Sequence, residues 1–423
     1  MTLPNADTIQ RVELPNGLII LVYETPHTQS VVLSGSLHAG SIYHSPEQGG
    51  LAALTSGGLM RGTLHRDFDT LHSALEDIGA DLGMSYGVHK VGFGGKALAE
   101  DLPTLIEILA DVLRFPSFPD DQIERLRGES LTWLKYRQQN TQWLASRAFR
   151  RMIYPQTHPY HFSARGTMDT LPTITVDEIR AFHRSQYGAR GMTLAVVGAI
   201  KAQAVIDTVS HYFADWHNPD QPAIAQLPTI DVTPDAQEHE IGVPGKTQTD
   251  IVLGRLGPSR TADDYHAANL ANSILGQFGM MGRIGDAVRE REGLAYYAGS
   301  QLEGGYGPGA WRFSAGVDPA NIERTVYLIR EEIRRIVSEP VDAEDLADNQ
   351  SYFTGRLPLQ LESNDGIAGI LHSMEAYQLG LDYLETYRDR IYRLTTDDLL
   401  RAAQRYLDPD NLVVSVAGPP RGE

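Results

Sequence analysis

The sequence predicts an α+β chain made of two tandem homologous α/β-sandwich domains. Three features predict it. A helix-then-strand segment occurs twice at one spacing, a proline-rich stretch lies between the copies, and both halves mix short β-branched runs with long amphipathic ones. Strands interspersed with helices in each half define the α+β class, and a length of 423 residues suits two domains.

The repeat comes first. Ile174-Thr-Val-Asp-Glu-Ile179 and Leu394-Thr-Thr-Asp-Asp-Leu399 each place a Thr shortly before acidic residues, the N-cap signature of a helix. Each helix is followed by an apolar run ending in Gly, Met192–Gly198 and Leu412–Gly418. Both runs are short and rich in β-branched residues, so they read as buried strands. From 174 to 394 and from 192 to 412 the shift is the same 220 residues, without a gap. Two matches in register imply a duplicated domain.

Between the copies, the stretch from His217-Asn-Pro-Asp-Gln-Pro through Pro228 to Pro234-Asp235 is too rich in proline for a helix or a central strand. The expected boundaries are a first domain at 1–215, a linker at 216–236 and a second domain at 237–423. Glu13–Tyr23 carries an Asn16-Gly17 turn signal leading into an apolar strand. Val31–Leu37 alternates as a strand does, and Asp250–Leu256 opens the second half in the same way. Helices are expected over 102–112 and 322–337, the latter with Ile329, Ile333 and Ile336 on one face. Strands are expected on both sides of a glycine-rich hairpin at 304–309, either a loop open to close backbone approach or a long surface turn.

Composition excludes several functions. Apolar residues make up 42% and charged residues 21%, which suits a globular core. The formal net charge of −18 opposes binding to nucleic acid or to anionic lipid. Arg147, Arg150 and Arg151 read as a solvated helix face. No apolar run is long enough to span a bilayer, and the first residues have neither a basic nor an apolar signal region. With no Cys there is neither disulfide nor thiol nucleophile, and a cytoplasmic location is expected.

Gly40-Ser-Ile-Tyr43 followed by Gly49–Thr63 resembles the active-site segment of pitrilysin-type, or insulinase-type, zinc peptidases, which reads G-L-A-H-F-L-E-H-M-L-F-K-G-T. Gly50, Leu51, Ala52, Leu59, Gly62 and Thr63 match. His158-Pro-Tyr160 with Gly166-Thr167 resembles the family's H-P-Y…G-T segment, and the resemblance extends over almost the whole chain. It implies mixed sheets with helices packed on one face, in two domains facing each other as a clam-shell.

In that family an inverted H-x-x-E-H motif places two His and a general base on one helical turn. Here the three positions are Ala53, Ser56 and Gly57, which offer neither ligand nor base. No metal or other cofactor is therefore expected on this chain. His158 with His161, His72 with Glu76, and Glu124 and Glu129 read as structural or surface residues rather than substitute ligands.

Arg289-Glu-Arg-Glu-Gly-Leu-Ala-Tyr296 resembles the family's R-x-x-x-x-(G/L)-x-Y element, preceded by a glycine-rich turn at Gly276–Arg283. Taken alone, an Arg at a helix C-terminus complements the dipole, and such a Tyr is a strand aromatic. As the family's pair, Tyr296 is a donor to the oxyanion of peptide hydrolysis, and Arg289 holds the substrate backbone. The resemblance thus implies a processing-peptidase-like, non-metal-binding subunit, inactive alone. Its expected partners are a homologous H-x-x-E-H subunit, which carries the zinc, and a peptide substrate, with a homodimer open to the isolated chain. The alternative is a catalytically silent scaffold or binding subunit of the same fold.

Overall fold

The computed structural model describes residues 3–230 and 234–420, so the start of the chain and positions 231–233 of the expected linker lie outside the described residues. Among the described residues no helix is long and apolar enough to cross a membrane.

The first sheet comprises β1 (Ile9–Glu13), β2 (Ile19–Glu24), β3 (Ser30–Leu37), β4 (Asp81–Tyr86), β5 (Val91–Leu98) and β6 (Thr193–Gly198), in the order β1-β2-β6-β3-β5-β4. The Asn16-Gly17 signal becomes a tight loop closed by the Leu14 amide on the Leu18 carbonyl, with Gly17 at φ 85. The second sheet comprises β7 (Gln237–Gly242), β8 (Thr249–Leu256), β9 (Ala295–Leu302), β10 (Ala310–Val317) and β11 (Val413–Gly418), in the order β7-β11-β8-β10-β9.

Taken from β2, the two sheets have one strand order and one pattern of directions. β2 runs parallel to β6 as β7 does to β11, and the other neighbours in both sheets are antiparallel. β1 is the strand without a counterpart. The repeated helices carry the same cap. The amide of Glu178 donates to the Thr175 hydroxyl while Glu178 accepts from the Thr175 amide, and Thr395 with Asp398 does the same. These capping boxes satisfy amides that the first helical turn leaves without partners.

The chain folds into two compact units that are discontinuous in sequence. Unit 1 holds 1–134, 162–226 and 358–385; unit 2 holds 135–161, 227–357 and 386–423. Unit 1 holds the six strands of the first sheet and unit 2 the five of the second, while one helical stretch of each half of the sequence lies in the opposite unit. Each half packs helices of its own on one face of its sheet, such as Leu102–Arg114 in the first and Tyr265–Gly276 in the second. The other face is covered by a helix from the opposite half of the sequence. Asn364–Ala376 lies on β3 and β6, and Thr141–Ile153 lies on β8 and β11.

The exchange has a physical cause: each sheet has an inner strand that buries both faces. β6 and β11 are buried at every residue, so their second faces need apolar cover. Ile367, Ala368, Leu371 and Met374 cover one, and Ala145, Phe149 and Ile153 the other. Each large side chain buried this way contributes roughly 1.5–3 kcal/mol. The arginines expected to be solvated lie on the second of these helices. Arg150 pairs with Glu303 at 2.8 Å, and Arg147 stacks over Trp143.

Candidate functional site

The helix Leu51–Gly58 forms where the peptidase resemblance puts it, and Leu51, Ala52 and Leu54 bury its inner face. That burial offsets the helix cost of Gly57 and Gly58. Ser56 is 1% exposed, and its hydroxyl donates to the Ser85 carbonyl at 3.2 Å. A Cβ on Gly57 would lie 2.9 Å from Leu126 Cδ2, and one on Gly58 2.8 Å from Phe118 Cδ1.

The neighbouring polar groups are engaged elsewhere. Glu129 pairs with Arg61 at 2.7 Å, Glu124 accepts from Arg127, and His72 Nε2 sits 3.2 Å from the Met60 carbonyl. His158 is buried and stacked on Tyr154, whose carbonyl is 2.9 Å from His161 Nδ1. Among the described residues no three His, Asp or Glu side chains come together as a metal site. The residues around Ala53, Ser56 and Gly57 do not fit zinc.

The Arg–Tyr element is built differently. Residues Asp286–Arg291 form a π-helical turn, a wide turn often found at functional sites. Ala287 and Val288 anchor it in the core. Gly293, at φ 63, reverses the chain, and the Leu294 amide returns to the Val288 carbonyl at 2.9 Å. The reversal favours a residue without a Cβ. Arg289 is 37% exposed, with its nearest charged partner, Glu290, at 3.5 Å.

β9 then begins with an irregularity. Ala295 pairs with Val317 and Tyr297 with Gly316, so two steps along β9 match one along β10. Tyr296 is the extra residue of this β-bulge. Its ring is 86% exposed, and its hydroxyl bonds to none of the described residues. Bulges re-aim side chains in this way beside active sites. Arg289 and Tyr296 both open to solvent, four and two residues from the helix–strand junction at Gly293-Leu294, with no hydrogen bond between them among the described residues.

Two residues that sequence reasoning missed stand behind this element. The Tyr297 hydroxyl donates to Asp250 Oδ1 at 2.5 Å, and Thr141 donates to the other carboxylate oxygen. Burial, then the Asp250 carboxylate, push the Tyr297 phenol pKa up. An Asp next to Ile-Val-Leu in an apolar strand was the available signal. The glycine-rich hairpin is held rather than open. Tyr154 donates to the Pro308 carbonyl at 3.0 Å, and Gly307 abuts Leu227 and Tyr160.

Duplicated sheets, a peptidase-type helix without metal ligands and an exposed Arg–Tyr element define a non-metal-binding chain of peptidase type. Residues 19–159 match the model of insulinase, peptidase family M16, and residues 173–352 match that of the peptidase M16 inactive domain. The chain belongs to peptidase family M16. It is similar to the crystal structure of a peptidase M16 inactive domain from Pseudomonas fluorescens, at 27% identity and TM-score 0.91, covering 97% of this chain and 98% of that one. An uncharacterized zinc protease of Streptomyces coelicolor is 24% identical, covering 97% of this chain and 90% of its own length. A probable inactive metalloprotease of Bacillus subtilis is 23% identical over 82% of this chain and 84% of its own. The mitochondrial-processing peptidase subunit beta of Neurospora crassa is 23% identical over 64% of this chain and 56% of its own.

Proposed function

We propose that this chain is the non-metal-binding subunit of a two-chain M16 peptidase, supplying Arg289 and Tyr296 to peptide hydrolysis on a zinc-bearing homologue. The observation that carries this reading is the contrast within one chain. The ligand positions hold Ala53, Ser56 and Gly57, with the Ser56 hydroxyl buried and bonded to the Ser85 carbonyl, whereas Tyr296 is held out to solvent by a bulge. A surface phenol with no partner among the described residues contributes little to a scaffold, but it is free to donate to an incoming carbonyl oxygen. The relative named probable inactive metalloprotease supports a role without peptidase activity of its own, and the one named as a processing-peptidase subunit supports a place inside an assembly.

On this reading zinc held by the partner would supply an activated water, and this chain handles the charge that its attack creates. Tyr296 donates a hydrogen bond to the oxygen of the tetrahedral intermediate, where a donor counts for more than in the ground state. The Arg289 guanidinium makes a charged hydrogen bond to a substrate carbonyl beside the cut. The test is a fluorogenic peptide assay on this chain, on a co-purified H-x-x-E-H sister, and on the mixture. Neither chain alone should cleave. Tyr296→Phe should lower kcat of the mixture about 10²-fold with KM nearly unchanged. Arg289→Ala should raise KM as well. Full activity of the Tyr296→Phe mixture sinks the reading and leaves a scaffold.

A further inference from the structure

The bulge raises a structural question: what stops β9 from slipping by one residue and turning Tyr296 into an ordinary strand position? A one-residue slip would reverse the facing of every side chain beyond it. Asp250 lies at the start of β8, a strand whose first six residues are all buried, and is itself only 4% exposed. A buried carboxylate is costly unless hydrogen bonds satisfy it. Tyr297 and Thr141 supply them, and Thr141 opens the helix Thr141–Ile153, whose N-terminal end favours negative charge.

The strand order β8-β10-β9 means that Tyr297 must reach over β10 to meet Asp250. It does so at one residue. Gly316 of β10 is paired with Asp250 on one side and with Tyr297 on the other. A Cβ there would lie 2.5 Å from the Tyr297 ring and 2.4 Å from the Gln248 amide nitrogen, so the ring lies across a position only glycine leaves free. The register shift falls between Gly316 and Val317, opposite Tyr296.

We propose that Tyr297, Gly316 and Asp250 form a latch across three strands that fixes the register of β9 and so positions Tyr296. Tyr297 and Asp250 are positioning residues: they act through Tyr296 and touch no substrate. The inference rests on the functional reading above for its effect on turnover, but its structural half stands apart from that reading.

A double-mutant cycle in the two-chain mixture tests the functional half. Tyr297→Phe removes only the hydroxyl, and should lower kcat about tenfold with KM unchanged. In a Tyr296→Phe background the same change should cost nothing further, because nothing remains to position. Asp250→Asn keeps an acceptor for Tyr297 and should retain activity within about twofold of wild type, whereas Gly316→Ala should match Tyr297→Phe. Equal losses in both backgrounds overturn the positioning role. Hydrogen exchange on this chain alone tests the structural half. Tyr297→Phe should speed exchange over 294–298 about tenfold while leaving 251–255 unchanged. Unaltered exchange overturns the latch whatever the kinetics. Loosened exchange together with a silent Tyr296→Phe substitution upholds the latch and overturns the functional reading instead.

Discussion

The two sheets share strand order, strand directions and a capped closing helix, yet they treat their site-bearing segments in opposite ways. In the first half, the helix bearing the ligand positions is regular and its polar group is satisfied: Phe118 abuts Gly58, the Ser56 hydroxyl is spent on the Ser85 carbonyl, and the half-buried Ala53 and Gly57 offer no polar side chain. In the second half, a π-turn and a bulge interrupt regular structure to leave Arg289 and Tyr296 open. Close packing and satisfied hydrogen bonds are what a stretch of chain adopts when only stability acts on it. Irregular backbone with an exposed aromatic is stabilising for neither sheet nor helix, and the proposed role of the pair would account for it.

The comparison is sharpest in an activity assay on the two-chain mixture. Ser56→Ala should leave turnover unchanged beside the about 10²-fold fall expected from Tyr296→Phe. A loss with Ser56→Ala of the same size would mean that the first half still takes part in chemistry, and the contrast would collapse.

Stability should respond in the reverse sense. Gly58→Leu must drive a side chain into Phe118 and Ile123, each under 3 Å from the new Cβ. Overpacking of this kind costs about 1–3 kcal/mol, more than the helix propensity gained by replacing glycine. Tyr296→Phe, on an exposed ring, should stay within about 0.5 kcal/mol of wild type. Urea midpoints at constant slope read both; a silent Gly58→Leu would show that the packing there is loose.

Acid should also separate the units. Burial holds the imidazoles of His38, His183 and His372 in unit 1 at a pKa of about 4, and that of His266 in unit 2 likewise. Lys90 adds repulsion at His38 and His372. An unfolded imidazole titrates near 6.5, so between that pH and about 4 the unfolded chain binds more protons and stability falls as pH falls. Across the whole range each histidine contributes on the order of 3 kcal/mol to the loss. Unit 1 should therefore open first, seen by hydrogen-exchange mass spectrometry corrected for intrinsic rates. Earlier opening of unit 2 would contradict this.

Much of the fold was legible because it rests on local signals. The apolar runs at 192–198 and 412–418 are β6 and β11, and Ile329, Ile333 and Ile336 are buried on the helix Ile322–Ser338 as their spacing required. The absence of ligands at Ala53, Ser56 and Gly57 was plain from residue type alone. The exchanged helices were not legible. An apolar stripe such as Ala145, Phe149 and Ile153 says that a helix is covered, but not by which sheet. Nor was the bulge, since Ala295-Tyr-Tyr-Ala298 reads as an unbroken strand, and the shift depends on Gly316, nineteen residues beyond Tyr297. Sequence named Tyr296; only the ladder shows how it is presented.

The smallest expected difference concerns what the duplication kept equal. Thr175 and Thr395 cap corresponding helices with the same pair of bonds, a hydroxyl accepting from the third helical amide and a carboxylate accepting back. Both caps are solvent-exposed, and both helices run into a fully buried strand, β6 or β11. Thr175→Ala and Thr395→Ala should each cost about 1 kcal/mol, the usual value for losing an N-cap hydroxyl. The carboxylate that remains still interacts favourably with the helix N-terminus in either case. Because the two sites lie in different units and share no partner, the double variant should lose the sum of the two. Urea unfolding of the two single variants and the double decides. Unequal single losses would show that one helix end is held by more than its cap, and the two halves would then differ in their framework as well as in their sites.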